Sequence, residues 1–396
     1  MFSPAVRAAI LTGKLGWLDP FAPIFQIDLA YGRVWMQGKA FYGPSALARV
    51  LTTFSTPTHY SLGLDGQLYL IPANTLDYTA MPAGACRGQL LEEARTNVVL
   101  YSRDLTAGAW TASNITTAKD QVGPDGVANS ASRITATADN ATILQGTTLA
   151  SSARFLTAYL RRLAGSGLVY MTLNGGATWT AVTVSSLWSR VSIPSLTLAN
   201  PSVGFKLATS GDAIAVDLVD NENGAFATSP IATADAAVLR AASAAQLSPA
   251  LSGITLQGPL AAKVVATYPV LTGSNFIFRV RKDGTNNWGC GVNASGLASY
   301  QVSSNAGGPP PWNAVDGAIS LMTPVKQTLA VAGPGISDAI GTISTLSTTI
   351  ASAAYTTFNP TGAGTISLSG SADAYTQSIS FWPSRLPDAA LLALVQ

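Results

Sequence analysis

Charged side chains are dense at one point of the sequence, the stretch LLEEARTNVVLYS at residues 90–102. Glu92 and Glu93 are the one adjacent acidic pair, and a glycosidase needs two carboxylates that face one bond across about 5–10 Å. The apolar residues on both sides predict a strand, in which neighbouring side chains point to opposite faces. The pair therefore cannot act together. Arg95 falls on the same face as Glu93, and we expect these three residues to form a structural clamp at a domain junction.

Two further sets of residues could support catalysis, and both have a structural interpretation. Asp217, Asp220 and Glu222 lie in DLVDNENG, which reads as a strand running into a turn where carboxylates cap backbone groups. His59 is the sole histidine, and its setting TPTHYS lacks the strand, turn and helix of a nucleophile elbow. We therefore expect no catalytic residues and no enzymatic activity.

Metal ligands are equally sparse in the sequence. Cys86 and Cys290 lie far apart, without the spacing of a zinc site or a disulfide framework. Asp283, Asn286 and Asn287 could hold calcium together with backbone oxygens, although turn formation explains the same residues. No cofactor and no metal site are predicted, and calcium is the one ion that these residue types would suit.

Tryptophan is the better candidate for ligand binding, because an exposed ring can cover the apolar face of a sugar while polar neighbours bind its hydroxyls. Trp312 follows three prolines, which should hold it outward on an extended loop. Trp288 lies beside a predicted turn with Asn287, and Tyr300 is in the following strand. Trp179 follows Asn-Gly-Gly near a strand start. These five residues are the predicted glycan site; the alternative is burial at subunit contacts, where tryptophan is also enriched.

The composition indicates an all-β protein with several domains. The chain has 396 residues, of which 11% are charged, with 36 glycines and 22 prolines. Turns are therefore plentiful, and polarity comes mainly from uncharged side chains. A net charge of +2 without a basic cluster lacks the electrostatic footprint of nucleic-acid binding. No apolar run approaches the roughly 18 residues of a membrane span, so membrane insertion is not expected.

The spacing of strands and turns predicts an antiparallel jelly-roll sandwich followed by a second sandwich, with a short helix at each end of the chain. Trp110 and Trp188 are expected in the jelly-roll core. The jelly roll is predicted as an insertion between two parts of one outer domain. The predicted segments are an N-terminal helix or anchor at 1–21, a β-rich segment packing on the flanking sandwiches at 22–96, the jelly roll at 97–242 and the second sandwich at 243–396.

Two phrases of the sequence carry a family resemblance. RGQLLEEARTNVVLYSRDLTAGAWTAS and DLVDNENGAFATSPIATADAAVLRAA resemble the phrases that bracket a jelly-roll domain, similar to carbohydrate-binding modules, in many phage virion proteins. RKDGTNNWGCGVN and the ending ISFWPSRLPDAALLALVQ resemble a concanavalin A-like (laminin G-type) sandwich. The resemblance implies a structural or receptor-binding protein of a tail fibre, a head fibre or spike, or a baseplate.

The function implied by this resemblance is adhesion to a host cell-surface polysaccharide or lipopolysaccharide, with several weak sites acting together. The expected partners are that glycan, other virion proteins and further copies of the chain in a homo-oligomer such as a trimer. The expected location is the virion, assembled in the host cytoplasm. Two alternatives stay open at this point. The first is a purely structural baseplate or decoration subunit without glycan binding, and the second, which the residues favour less, is a polysaccharide depolymerase.

Overall fold

The computed structural model divides the chain into two compact units. Unit 1 comprises residues 1–56, 74–93 and 242–396, and unit 2 comprises residues 57–73 and 94–241. The residues that the structure describes are 18–21, 23–29, 33–36, 38–42, 44–47, 49–63, 65–75, 88–247, 260–268, 275–281, 287–293, 295–303, 312–321, 323–331, 339–343, 351–353, 365–368 and 374–395.

Nearly all regular structure in these residues is β-strand. The first elements are β1 (Phe25–Asp28), β2 (Arg33–Met36), β3 (Lys39–Tyr42), the helix α1 (Pro44–Leu47), β4 (Leu51–Ser55), β5 (His59–Leu62), β6 (Leu68–Ile71) and β7 (Gln89–Leu91). The middle elements are β8 (Arg95–Asn97), β9 (Thr111–Ser113), β10 (Ile115–Gln121), β11 (Ala131–Ala136), β12 (Ala141–Gly146), β13 (Ser152–Ala164), β14 (Val169–Thr172), β15 (Thr180–Val182), β16 (Ser189–Leu198), β17 (Ser202–Leu207), β18 (Ala213–Asn223), β19 (Val238–Arg240) and β20 (Ala244–Leu247). The last elements are β21 (Leu260–Thr267), β22 (Asn275–Arg281), β23 (Asn287–Val292), β24 (Leu297–Ser303), β25 (Trp312–Ala318), β26 (Pro324–Val331), β27 (Ala339–Ile343), β28 (Ala351–Ala353), β29 (Thr365–Leu368), β30 (Ala374–Trp382) and the helix α2 (Asp388–Val395).

Unit 1 contains two antiparallel sheets around one apolar core. One sheet has the order β28-β27-β26-β21-β30-β1-β2-β3, with β7 also paired to β30, and the other has the order β25-β24-β23-β22-β29-β20-β4. Rings from different strands meet in the core, where Phe278 packs edge-on against Phe381 with ring centroids 5.3 Å apart. The helix α2 buries Leu391 and Leu394 against Trp382 and neighbouring alanines.

Unit 2 is a jelly roll. Its larger sheet has the order β10-β11-β18-β13-β16, joined by β8 and β19, and its smaller sheet has the order β15-β14-β17-β12-β9. Successive strands from β11 to β18 are shared between the two sheets in the jelly-roll order. Residues 59–71 add the hairpin β5–β6 to this unit. The all-β prediction with antiparallel sandwiches and a C-terminal helix is therefore confirmed, whereas the predicted N-terminal helix lies outside the described residues.

The core of unit 2 follows from alternation along its strands. In β12, Ala141 and Ile143 are buried while Thr142 and Leu144 are partly exposed. Trp110 is buried against Phe205 in this core, as the sequence predicted. The prediction that Trp188 lies in this core is wrong, because the residue is only partly buried. It packs outside the sandwich core in a cluster with Tyr60, Leu68, Tyr159 and Leu218. Its indole nitrogen donates a hydrogen bond to the Val122 carbonyl oxygen.

The two ends of unit 2 are joined through the phrases that the sequence analysis singled out. The Asn97 amide nitrogen donates to the carbonyl oxygens of Val219 and Ile231 at 2.9 and 2.7 Å. Its amide oxygen accepts hydrogen bonds from the backbone nitrogens of Val99 and Asn221. Because Asn97 is fully buried, one side chain satisfies four backbone groups from both phrases.

The acidic phrase itself differs from the expected continuous strand. It forms two short strands, β7 and β8, and residues 92–94 between them are not in a strand. Glu92 is buried, Glu93 is partly exposed, and the Arg95 guanidinium lies 4.4 Å from the Phe226 ring centroid within unit 2. The chain passes from unit 1 to unit 2 between Glu93 and Ala94. The sequence predicted this boundary between residues 96 and 97. The predicted segment 22–96 is therefore divided between the two units. The role of Glu92, Glu93 and Arg95 as a clamp stays a prediction.

Candidate functional site

The smaller sheet of unit 2 presents a row of side chains on the face that points away from the core. Its inward residues include Met171, Phe205 and Ile143, all fully buried. The residues between them point the other way, and the strand register aligns them across the sheet. In order, this row is Ala181, Tyr170, Lys206, Thr142 and Ser113.

Trp179 joins this row from the turn that precedes β15. The Thr172 hydroxyl oxygen accepts hydrogen bonds from the backbone nitrogens of Asn174 and Gly176 at 3.2 and 3.0 Å. The Asn174 side-chain oxygen accepts one from the Thr178 backbone nitrogen at 2.9 Å. These bonds brace the turn from inside, so the position of the indole is set before any ligand arrives.

A glycine lets the indole lie close to this turn. Gly176 has φ +93°, and a Cβ atom added there would lie 3.0 Å from two atoms of the Trp179 indole. Any other residue would face both an unfavourable backbone conformation and a close contact. The turn Asn174-Gly175-Gly176 therefore positions Trp179 on the same side of the sheet as Tyr170.

Lys206 connects the two rings. Its Nζ atom lies 4.2 Å from the centroid of the Tyr170 ring and 5.1 Å from that of Trp179. Each contact of a partly exposed ammonium with a ring stabilises the arrangement by about 0.5–1 kcal/mol. Tyr170, Trp179 and Lys206 are all partly exposed. We call these three residues the aromatic face.

The chemistry of the aromatic face suits a carbohydrate. Two rings offer apolar area to the C–H face of a sugar, and the ammonium can donate hydrogen bonds to its oxygen atoms. Thr142 and Ser113 continue the row with hydroxyl groups. The five strands of this sheet contain no aspartate or glutamate, and Lys206 is their one charged residue.

The carboxylates considered for catalysis lie on the other sheet and are buried. Asp217, Asp220 and Glu222 fall within β18 and are at most 2% exposed, so the predicted turn is wrong. Leu218 between them has φ +46°, and the register with β13 shifts there. This bulge places Asp217 and Asp220, three residues apart, on one face of the strand. The sequence alone does not predict this bulge or the shared face of Asp217 and Asp220.

Each of these carboxylates is bonded to protein groups. Asp217 receives two hydrogen bonds from Arg103, both 2.8 Å long. Glu222 accepts from the Thr228 hydroxyl and backbone nitrogen, and Asp220 from the Ile231 backbone nitrogen.

Burial raises the pKa of the Asp220 carboxyl well above its usual value, and the neighbouring Glu222 raises it further. Desolvation also raises the pKa of Asp217, against the opposing effect of Arg103. Burial of the carboxyl group is the largest cause of both pKa shifts. Asp220 and Glu222 hold the 226–231 segment, and all three carboxylates are buried.

The other residues singled out in the sequence have different surroundings. His59 is packed, 4% exposed, with its Nδ1 atom 3.0 Å from the Pro57 carbonyl oxygen. Asp283 and Asn286 of the suggested calcium site lie outside the described residues, and Asn287 begins β23. The described histidine, cysteine and acidic residues form no group of three that could hold a metal. No described helix is long and apolar enough to cross a membrane.

The five predicted glycan-binding residues are divided between the two units. Trp179 lies on the aromatic face of unit 2. Tyr300 is fully buried in the core of unit 1, which corrects its prediction, since a ring without an exposed face cannot stack on a sugar. Trp288 and Asn287 lie in β23, and Trp312 begins β25, so Trp312 is part of a strand instead of a loop. Trp288 and Trp312 are both register partners of Val302. The proline run before Trp312 lies outside the described residues.

Sequence reasoning missed two members of the aromatic face, Tyr170 and Lys206. The alternation in VYMT and SVGFKL signals that each points away from the core. Their proximity depends on the register of β14 with β17, which are separated by two other strands in the sequence. That register cannot be read from local patterns.

No protein-family model matches the sequence, and no curated protein matches it as a relative. Among solved structures, a carbohydrate-binding module (CBM40) of the Ruminococcus gnavus IT-sialidase, bound to α2,3-sialyllactose, is 13% identical, with a TM-score of 0.30 over 35% of this chain and 84% of the module. Domain 4 of a GH43 arabinanase from Geobacillus stearothermophilus, in complex with arabinotriose, is 13% identical, with a TM-score of 0.32. The match covers 43% of this chain and 81% of that domain. The tail fibre protein gp63.1 of an Escherichia coli phage is 11% identical, with a TM-score of 0.22. The match covers 83% of this chain and 46% of the tail fibre chain. Likenesses this low do not establish a shared fold or function.

Proposed function

We propose that unit 2 binds a glycan on the aromatic face without cleaving it, and that the chain is an adhesion component of a phage virion. The observation that carries the proposal is the placement of Tyr170, Trp179 and Lys206 on one outward sheet face. Aromatic rings on a rigid sheet bind a sugar at little entropic cost, because sheet and turn already hold them in place.

The sheet position favours a chain-like ligand. The row from Ala181 to Ser113 crosses five strands about 4.8 Å apart, so a saccharide could lie along it for roughly 19 Å. The aromatic end would bind one sugar ring, and the hydroxyl end at Thr142 and Ser113 would bind the next. A single site of this size binds weakly, and several copies on one particle raise the avidity by roughly 10²–10⁴.

The assignment to a virion rests on the two phrases that resemble those of phage virion proteins. In this chain the phrases meet at Asn97, which closes unit 2. We assign these phrases a structural role and the contact with host polysaccharide or lipopolysaccharide to the aromatic face.

Glycan-array binding by the purified full chain tests the proposal. We expect binding that is lost in Trp179→Ala and kept in Tyr69→Ala, a matched control that removes a 40% exposed ring from the β5–β6 hairpin. Thermal unfolding of each variant checks that the fold is kept.

Three results would count against the proposal. A wild-type chain that binds no glycan, in a correctly folded preparation, would favour the purely structural virion subunit. Equal loss of binding in Trp179→Ala and Tyr69→Ala would remove the assignment to this face. Release of reducing ends from a bound polysaccharide would show a depolymerase.

A further inference from the structure

We infer that the glycan bound at the aromatic face is acidic, carrying a carboxylate, sulfate or phosphate group next to the apolar face of a sugar ring. This inference rests on the proposed function and goes further by naming the chemical class of the ligand. It is carried by the surroundings of Lys206, which set a requirement that a neutral sugar does not meet.

Lys206 differs in its partners from two other lysines of the described chain. Lys119 and Lys263 are paired with Asp104 and Asp19 at 3.4 and 2.5 Å. Lys206 forms no ion pair with any residue that the structure describes and lies over two aromatic rings instead. Its charge is therefore not neutralised by a carboxylate among the residues that the structure describes.

The sheet around Lys206 leaves this charge unbalanced. The five strands of the smaller sheet carry no acidic residue, so the one charge that they present is positive. An anion that approaches the aromatic face thus meets an attractive field without a repulsive carboxylate on these strands.

The ammonium also occupies the surface that a sugar would use. Nζ lies over both rings, 4.2 and 5.1 Å from their centroids, so a sugar that stacks on the same ring faces would displace it. The lysine stem has rotatable bonds along its whole length, so the ammonium can swing aside without moving the strand. It then loses its contacts with the rings and needs a partner in return.

An anionic substituent offsets the lost contacts between Lys206 and the rings better than a hydroxyl group does. Charge-assisted hydrogen bonds are roughly twice as strong as neutral ones. A neutral sugar removes the cation from the rings and offers only neutral acceptors in exchange. An acidic sugar keeps the apolar stacking and supplies the missing counter-charge, so Lys206 becomes a selectivity element.

Binding of the full chain to four immobilised probes tests this inference: hyaluronan for carboxylate, dextran sulfate for sulfate, a phosphorylated dextran for phosphate and unmodified dextran as the neutral control. We expect the chain to bind at least one acidic probe and to bind dextran at least tenfold more weakly. Lys206→Met keeps an unbranched side chain, one atom shorter than that of lysine, and removes its charge, and should weaken acidic binding by roughly tenfold. Lys206→Arg should retain it.

The results separate this inference from the proposed function. Binding of dextran that equals binding of the acidic probes, unchanged in Lys206→Met and lost in Trp179→Ala, would overturn the acidic class and leave glycan binding intact. Binding to none of the four probes would overturn the acidic class, and array binding of other, neutral glycans would still support the proposed function. Tighter binding to single-stranded DNA than to every acidic probe would contradict the inference by showing a nucleic-acid ligand.

Discussion

The ammonium of Lys206 lies 4.2 Å from the centre of the Tyr170 ring, although the two residues are 36 positions apart. The pair exists because β14 and β17 are neighbours in the smaller sheet, with Tyr170 and Lys206 directly opposite each other. Trp179 completes the group from a braced turn. The jelly roll thus brings Lys206 to Tyr170 and Trp179, which lie together in the local hairpin β14–β15.

Replacing Gly176 should weaken glycan binding more than it weakens the fold. Gly176→Ala forces an alanine to φ +93° and brings a Cβ atom to 3.0 Å from the Trp179 indole, so the ring must shift. The backbone strain alone costs about 1–2 kcal/mol. Gly211→Ala is the matched control, since φ is +85° and no atom lies within 4 Å of its added Cβ. We expect similar losses in melting temperature for both variants and at least a threefold loss of affinity for Gly176→Ala alone. Equal affinities would show that the position of the indole does not matter.

Asn97 should be one of the most sensitive positions of unit 2. Asn97→Ala leaves two buried carbonyl oxygens and two backbone nitrogens without their side-chain partner. Each buried unsatisfied group costs about 1–3 kcal/mol, so we expect a loss of at least about 3 kcal/mol in the free energy of unfolding. Asn223→Ala, at an exposed position of β18, is the control and should change it by less than about 0.5 kcal/mol. Chemical denaturation measures both. A small effect at Asn97 would mean that the phrases do not close the unit.

The Arg95 side chain should contribute to stability and leave glycan affinity unchanged. Arg95→Met removes the guanidinium that lies over Phe226 and should lower the free energy of unfolding by about 0.5–2 kcal/mol. Arg133→Met, at a side chain that is 45% exposed and paired with Asp120, is the control. Loss of glycan binding without loss of stability would return the acidic phrase to the list of functional sites.

Asp220 should make the stability of unit 2 fall as the pH rises. Because burial and Glu222 raise the pKa of this carboxyl in the folded state, the stability it contributes is complete below about pH 4 and is lost as the pH rises through the folded-state pKa. Asp220→Asn imitates the protonated acid and cannot ionise. The unfolding free energy of the variant minus that of the wild type should therefore increase as the pH rises above about 4. Asp120→Asn, at an exposed carboxylate, is the control. A difference that decreases with pH would contradict the direction of the shift.

The fold class could be predicted from the sequence because strand alternation and turn residues are local signals. The Asn-Gly-Gly turn before Trp179 is a local signal of the same kind, and the role of Trp179 in glycan binding stays a prediction. Tyr300 was placed wrongly, although LASYQVS puts it on the apolar face of its strand with Ala298. The alternation of side chains along the strand, and not the aromatic character of Tyr300, decides its burial in a sheet covered on one face.

Contacts set by register or by a bulge could not be predicted. The pairing of Tyr170 with Lys206 depends on which strands become neighbours. The shared face of Asp217 and Asp220 depends on the backbone of Leu218 at φ +46°, a conformation that leucine rarely adopts. The break of the strand at residues 92–94 is likewise absent from the pattern of apolar residues around it.

The most direct test of the central claim is an NMR titration of the indole N–H signals with a glycan that the full chain binds. The chain contains eight tryptophans, and Trp179→Phe identifies the signal of Trp179 by its disappearance. We predict that the glycan shifts the Trp179 signal first and most, with the same saturation as the binding curve. A Trp179 signal that stays in place while the signal of Trp288 or Trp312 moves would contradict the account and place the ligand on unit 1.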